Sequence, residues 1–380
     1  MANEPKYIKT VEKLHEYLKY AMQVEHSTIP PYLTALYSLK PGSNLEAFHM
    51  IRAVVVEEML HLTLAANVFN AVGGDMTGVL TNLDFIPTYP TKLPGGIGDF
   101  IVNVGKFSPK TVETFLNIER SKEESVEQPT ESISQPKEFI LGEIPYLLPI
   151  FGSKTLQAEG QEEEEREELF YSIGDFYQEI IDGLMYLYKQ DNALVSHTGD
   201  KQISREYYYN GSGEIVKVTD IISAIKALKV IQFQGEGSRR GTIYDDEKKL
   251  CHYYRFQQLK LGRYYVIDEK NPKNSDQPDH PTGDSFTVDW DAVYPVKENA
   301  KLSDYPQDSE LYTHADEFQK AYSLFLAQIQ FSLNGHPEKL VPAVGNMFRL
   351  RDLANSLIRN PIPGNEDGCH GAPIYRSDEQ

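Results

Sequence analysis

Residues 54–62 read VVVEEMLHL, two carboxylates and an imidazole set in a run of Val, Met and Leu. Withdrawing an ionised carboxylate from water is costly unless something compensates it, so the fold turns on what these groups face. Around them Ile51, Val54, Val55, Leu62, Ala65 and Val68 recur at spacings of three and four. That spacing predicts a helix over about residues 45–72, which Gly73-Gly74 stops. Glu58 and His61 lie on its inner stripe, whereas Glu57 is turned by about 100° toward the flank. Upstream, Leu14, Tyr17, Leu18 and Ala21 form one face of a helix over about 10–38, and Glu25 shares that face. Pro30-Pro31 is expected to kink it.

Further along, residues 80–116 are rich in Pro and Gly and read as an irregular insertion that packs over something. The polar stretches at 121–135 and 268–284 read as loops. EEEEREE at 162–168 suits the first turn of a third helix, which reaches to about 189. Residues 220–233 are apolar nearly all round, as in a buried helix, and EKKLCHYYRFQQLKLG continues as a further helical piece. The chain therefore reads as one mostly α domain over 1–380. Its core helices are placed at about 10–38, 45–72, 164–189 and 220–260, its insertion at 73–160, and two amphipathic C-terminal helices within about 315–359.

Composition narrows the function. A net charge of −19, with the 37 basic residues scattered, excludes a nucleic-acid partner. Two cysteines, Cys251 and Cys369, make no disulfide framework, and a reducing, cytoplasmic setting is expected. MANEPKYIKT has no signal-peptide core, and no apolar run has the ~20 residues of a membrane span. No phosphate-cradling loop or nucleophile elbow is present to support a kinase or hydrolase.

Inward carboxylates and histidines in a helical bundle have a known solution, a dinuclear metal site in which Glu-x-x-His places two ligands on one helix face. Alone, that motif occurs by chance in many helices. A second inward carboxylate, Glu25, strengthens it here. Oxygen and imidazole ligation suits iron, one ion or two, or manganese, whereas structural zinc would want thiolates. Cys251 is expected in the core, and Cys369-His370 lacks the partners a metal site needs.

VEHSTIPPYLTALYSL, VVVEEMLHLTLAANVFNAVGG, IGDFYQEI, QGEG followed by LCHYYRF, and MFRLRDLANSLIRNPIP together resemble the bacterial ferritin-like family. That family includes the iminophenyl-pyruvate dimer synthases and the matching portion of violacein- and rebeccamycin-type synthases. The resemblance runs from about Val11 to Pro363 and implies a ferritin-like four-helix bundle with long insertions and additional C-terminal helices. It further implies metal ligands Glu25, Glu58 and His61, with Glu236 and His252 contributed by QGEG and HYYRF. One departure stands out: three residues before His252, where Glu belongs, the chain has Lys249. On the third helix the resemblance points to Asp175, whereas the stripe of Ile173, Phe176, Ile180 and Leu184 brings Glu179 closer to the core. Glu179 is preferred and Asp175 kept as the alternative. If neither reaches the centre, Glu57 becomes a reserve ligand or orients His61. His26 is expected to support the helix end rather than to ligate.

The reading that follows is a di-iron-type oxidoreductase acting on a small aromatic or amino-acid-derived molecule, such as an imine coupled oxidatively. Tyr177 and Tyr253 are candidate catalytic residues beside the site. An iron-binding, ferroxidase-like protein and a non-catalytic ferritin-like partner subunit are the alternatives. Assembly into a homo-oligomer stays open.

Overall fold

The computed structural model describes residues 4–376 except 93, 95–99, 121–138, 141–168, 171, 197–198, 200, 210–212, 237–242, 246 and 267–279. The acidic run at 162–168, the loop at 121–135 and most of 268–284 lie outside the described residues. What is described is mostly helical, as the sequence predicts.

Helix α1 (Val11–Ser38) starts where the Thr10 hydroxyl accepts the Lys13 amide, and it buries Leu14, Tyr17, Leu18, Ala21 and Met22. It runs through Pro30 and Pro31 without ending. Pro31 has no N–H for the Ser27 carbonyl four residues back, and the Tyr89 hydroxyl donates to that carbonyl instead, at 2.5 Å. Helix α2 (Leu45–Ala71) packs along α1. Gly73 ends it at φ 81°, a left-handed conformation that glycine adopts without steric cost.

The insertion corrects the sequence reading. Within it stands a regular helix, α3 (Pro109–Glu119), capped by the Ser108 hydroxyl and started by a proline in its first turn. The third core helix begins later than expected. Leu169–Phe170 pair in a short antiparallel ladder with Phe139–Ile140, and α4 (Ile173–Gln190) starts at the Ser172 cap. The region 220–260 divides into α5 (Ile221–Glu236) and α6 (His252–Leu261).

Contacts between helices show how the bundle closes. Helix α4 packs on α5 and α3 on α6; α1 touches both α3 and α4, and α2 touches both α5 and α6. The third and fourth positions of a four-helix bundle are thus each filled by two successive helices, α3 then α4 and α5 then α6. Both breaks fall at the same level of the bundle, beside the middle of α1 and α2.

Three C-terminal helices, α7 (Glu310–Leu333), α8 (Leu340–Gly345) and α9 (Met347–Ile358), pack on one another, α7 also touching α2 and α9 touching α1. The chain then returns to the bundle, where the Tyr375 hydroxyl pairs with Thr34 at 3.0 Å. Trp290 stacks on Phe107, with ring centroids 4.9 Å apart. No helix among the described residues is long and apolar enough to cross a membrane.

Candidate metal centre

At the level of the two breaks, five side chains from four helices converge. Glu25 comes from α1, Glu58 and His61 from α2, Glu119 from the last residue of α3, and His252 from the first residue of α6. They form two groups that could each hold a metal ion, Glu25–Glu58–His61 and Glu58–Glu119–His252, with Glu58 common to both. All five are at most 3% exposed.

Neighbours fix how each histidine presents itself. His61 Nε2 lies 2.9 Å from the Gln234 side-chain oxygen, which can only accept, so Nε2–H donates to it and Nδ1 faces Glu25 Oε2 at 3.1 Å. His252 Nε2 donates to Glu57 Oε2 at 2.9 Å, and Arg255 holds that carboxylate with two bonds of 2.7 and 3.2 Å. His252 Nδ1 is therefore aimed at Glu58 Oε1, 2.9 Å away, and at Glu119 Oε2, 3.4 Å away. Despite these close approaches the buried nitrogen has no satisfied hydrogen-bond partner. An orphaned imidazole nitrogen between two carboxylates is what a cation-binding position looks like without its cation.

Hydroxyl groups hold the carboxylates. Tyr177 donates to Glu25 Oε1 at 2.5 Å, Tyr32 to Glu119 Oε1 at 2.6 Å, and Thr28 to Glu58 Oε2 at 3.0 Å. Burial pushes Glu58 up to about 8, and the neighbouring Glu119 carboxylate adds to the shift. Burial works the same way on Glu25, but the hydrogen bond and charge of His61 outweigh it and hold Glu25 below the usual carboxylate value. Burial alone would lower His61 and His252; the carboxylates facing them raise both. Protons thus occupy the cluster where a cation would otherwise balance it, and the oxygen and imidazole donor set fits iron or manganese.

The sequence-derived ligands divide accordingly. Glu25, Glu58, His61 and His252 meet at the centre. Glu179 does not: its carboxylate accepts the backbone N–H groups of Lys6, Tyr7 and Ile8 at 2.7–3.0 Å, tying the N-terminal segment to α4. Asp175 sits half-buried in the first turn of α4 and joins neither group. Glu236 ends α5, with its side chain outside the described residues; the α5 residue seen at the cluster is Gln234. Glu57 orients His252, not His61. Tyr177 lies at the centre through Glu25, whereas Tyr253 packs edge-on against Tyr254. His26 hydrogen-bonds Tyr322, away from the cluster. Cys251 is buried at the start of α6.

Glu119 lies outside the ligand set that the sequence implies, although its helix carries a signal. Val112, Phe115, Leu116 and Glu119 share one helix face behind a Ser-Pro start, the same pattern that marks Glu58.

A family model described as Ferritin-like matches residues 18–261. The crystal structure of a ferritin-like protein from Caulobacter vibrioides aligns with a TM-score of 0.56 at 18% identity, covering 97% of this chain and 99% of that one. No protein with a curated description matches the chain.

Proposed function

Because the chain belongs to the ferritin-like family, and because Glu58 is shared by two buried donor groups, we propose that it is an oxidoreductase working through a dinuclear iron centre. Manganese is the other metal the donors suit. Glu25 and His61 would hold one ion and Glu119 and His252 the other, with Glu58 common to both groups. The shared carboxylate carries this reading: a single-ion site has no need of two histidines aimed into two groups.

The substrate proposed is a small amino-acid-derived imine, as the resemblance to iminophenyl-pyruvate dimer synthases suggests. Coupling two such molecules forms one bond between them and removes two hydrogen atoms, that is, two protons and two electrons. Oxygen or peroxide accepts the electrons. The bound metals supply the one-electron redox capacity that side chains lack.

The residues of the chain do the rest. Gln234 and Glu57 hold His61 and His252 with Nδ1 facing the centre. Arg255 keeps Glu57 ionised for that task. Tyr177, Tyr32 and Thr28 each occupy one carboxylate oxygen and leave the other free to ligate. Burial of the whole set excludes bulk water from reactive intermediates.

Anaerobic titration with ferrous iron tests the proposal. Binding should saturate near two ions per chain, and Glu58→Ala should lose both. Imines generated from aromatic amino acids should then consume oxygen or peroxide beyond what iron alone consumes. Full iron loading without substrate-dependent consumption would favour a ferroxidase-like role, and failure to load would favour a non-catalytic partner subunit.

A further inference from the structure

A second candidate site lies one helix face away from the metal centre. On α1, Glu25, Thr28 and Tyr32 follow one stripe toward the cluster, while His26, Ile29, Leu33 and Tyr37 follow the adjacent stripe. On α2, Val56, Met59 and Thr63 likewise alternate with Glu58 and His61. This adjacent stripe lines a cavity of about 120 Å³ whose far wall is Phe318, Tyr322, Phe325 and Ile329 of α7. None of its lining residues belongs to either metal group. Its size compares with the ~150 Å³ engineered cavity that takes up a benzene ring.

The wall is mostly apolar, and of its polar side chains His26 is the one with a buried atom left without a hydrogen-bond partner. His26 is 1% exposed, and its Nδ1 has no hydrogen-bond partner. Burial holds its pKa down to about 3, so the ring is neutral and carries a single proton. Its Nε2 lies 2.8 Å from the Tyr322 hydroxyl. A phenol is a stronger donor than a neutral imidazole, and an imidazole nitrogen a stronger acceptor than a phenol oxygen, so we assign the Tyr322 proton to this bond. Nδ1 then carries the ring proton, a buried donor unsatisfied by protein. Such a group is costly to leave unpaired.

We propose that this cavity binds a neutral, largely apolar molecule of about one aromatic ring that bears a hydrogen-bond acceptor, such as a carbonyl, received by His26 Nδ1–H. Apolar walls supply affinity and the unsatisfied His26 donor fixes orientation, the usual division of labour in small-molecule pockets. Tyr209, 50% exposed, lines the cavity and marks where a ligand enters. The site stands independently of the metal-centre reading.

Acetophenone and ethylbenzene, alike in shape but differing in the carbonyl, are suitable probes for calorimetric titration of the full chain. Both should bind, equally in metal-free and iron-loaded protein. His26→Phe should lower the acetophenone-to-ethylbenzene affinity ratio by about tenfold, one hydrogen bond's worth. Ile329→Trp, which fills the cavity from α7, should abolish binding of both. In the unmodified protein, infrared spectroscopy should show the bound acetophenone carbonyl stretch lowered relative to hydrocarbon solvent, a readout that needs no variant. An unshifted stretch, an unchanged ratio in His26→Phe, binding that survives Ile329→Trp, or no binding of either probe at millimolar concentration would overturn the assignment. Loss of iron binding with probe binding intact would remove the metal reading alone.

Discussion

Replacing Arg255 by Met should destabilise the protein and weaken its hold on metal. Glu57 is 1% exposed, and among the described residues Arg255 is the guanidinium on it, through bonds of 2.7 and 3.2 Å. Methionine keeps much of the buried stem volume but leaves Glu57 with His252 as its remaining charge partner. Breaking a buried ion pair from one side costs ~3–5 kcal/mol. Although burial alone would raise the Glu57 pKa, His252 and Arg255 more than offset that and hold it below 4.5. The stability this contributes is present above 4.5 and lost as pH falls through the folded-state value, so the variant's deficit should be full at neutral pH and shrink in acid. In the variant Glu57 loses the guanidinium that fixes its carboxylate, and His252 loses the firm hold that aims Nδ1 at the centre. Affinity at the His252 position should fall by ~10–100-fold, the usual effect of losing a residue that orients a ligand. Urea unfolding followed by circular dichroism gives the first quantity and ferrous titration the second. Adding Glu57→Gln to Arg255→Met should recover part of the stability, because it removes the uncompensated charge. A loss below ~1 kcal/mol, far under the buried-pair figure, together with unchanged metal affinity, would refute the chain from Arg255 through Glu57 to His252.

Glu119→Gln should reduce metal stoichiometry from two ions to one, because Glu119 serves only the group that includes His252; elemental analysis reads this directly. Metal-free protein should lose stability as pH rises from 4.5 through about 8, because folded Glu58 holds its proton more tightly than the unfolded chain does. The raised histidines act in the same direction, and thermal melts should show the slope vanish when metal replaces the protons. Glu179→Ala should cost ~2–4 kcal/mol from three charge-assisted bonds and expose the N-terminal segment to protease, with metal binding unchanged.

How far the centre was legible depended on whether a ligand sat within a long regular helix. Glu25, Glu58 and His61 lie on α1 and α2, where many turns of apolar spacing declare one inner face. Helix α3 has only 11 residues between a Pro/Gly-rich stretch and a polar one, so its stripe was lost in the composition around it. Glu179 misled because its position is buried, as the stripe implied, but for another reason: it receives a backbone segment from residues 6–8, a long-range contact that periodicity does not encode. The prolines of α1 were expected to interrupt it, and only the distant Tyr89 hydroxyl shows how one freed carbonyl is satisfied.

Breaking both helices at one level also accounts for the lysine where a glutamate belongs. In an unbroken fourth helix, position 249 would share a face with His252. Here Lys248 stands at φ 62°, the Lys249 amide is tied to Asp245 Oδ1 at 2.8 Å, and its ammonium pairs with Glu247. The missing carboxylate comes instead from Glu119, carried to the same place by α3 packing on α6. This substitution changes the local electrostatics. His252 stands at the N-terminus of α6, whose partial positive charge favours the carboxylates gathered there, whereas Glu119 stands at the C-terminus of α3, where the same effect disfavours it. The Tyr32 hydroxyl, donating at 2.6 Å, offsets part of that penalty. Burial, reinforced by repulsion from the neighbouring Glu119 carboxylate, makes Glu58 retain a proton to about 8. A divalent cation removes that repulsion and releases the proton at once. Iron binding near pH 7 should therefore acidify a weakly buffered solution, and Glu119→Gln, by removing one of the repelling charges, should reduce the protons released per ion bound; equal release in both proteins would mean that Glu119 does not act on Glu58.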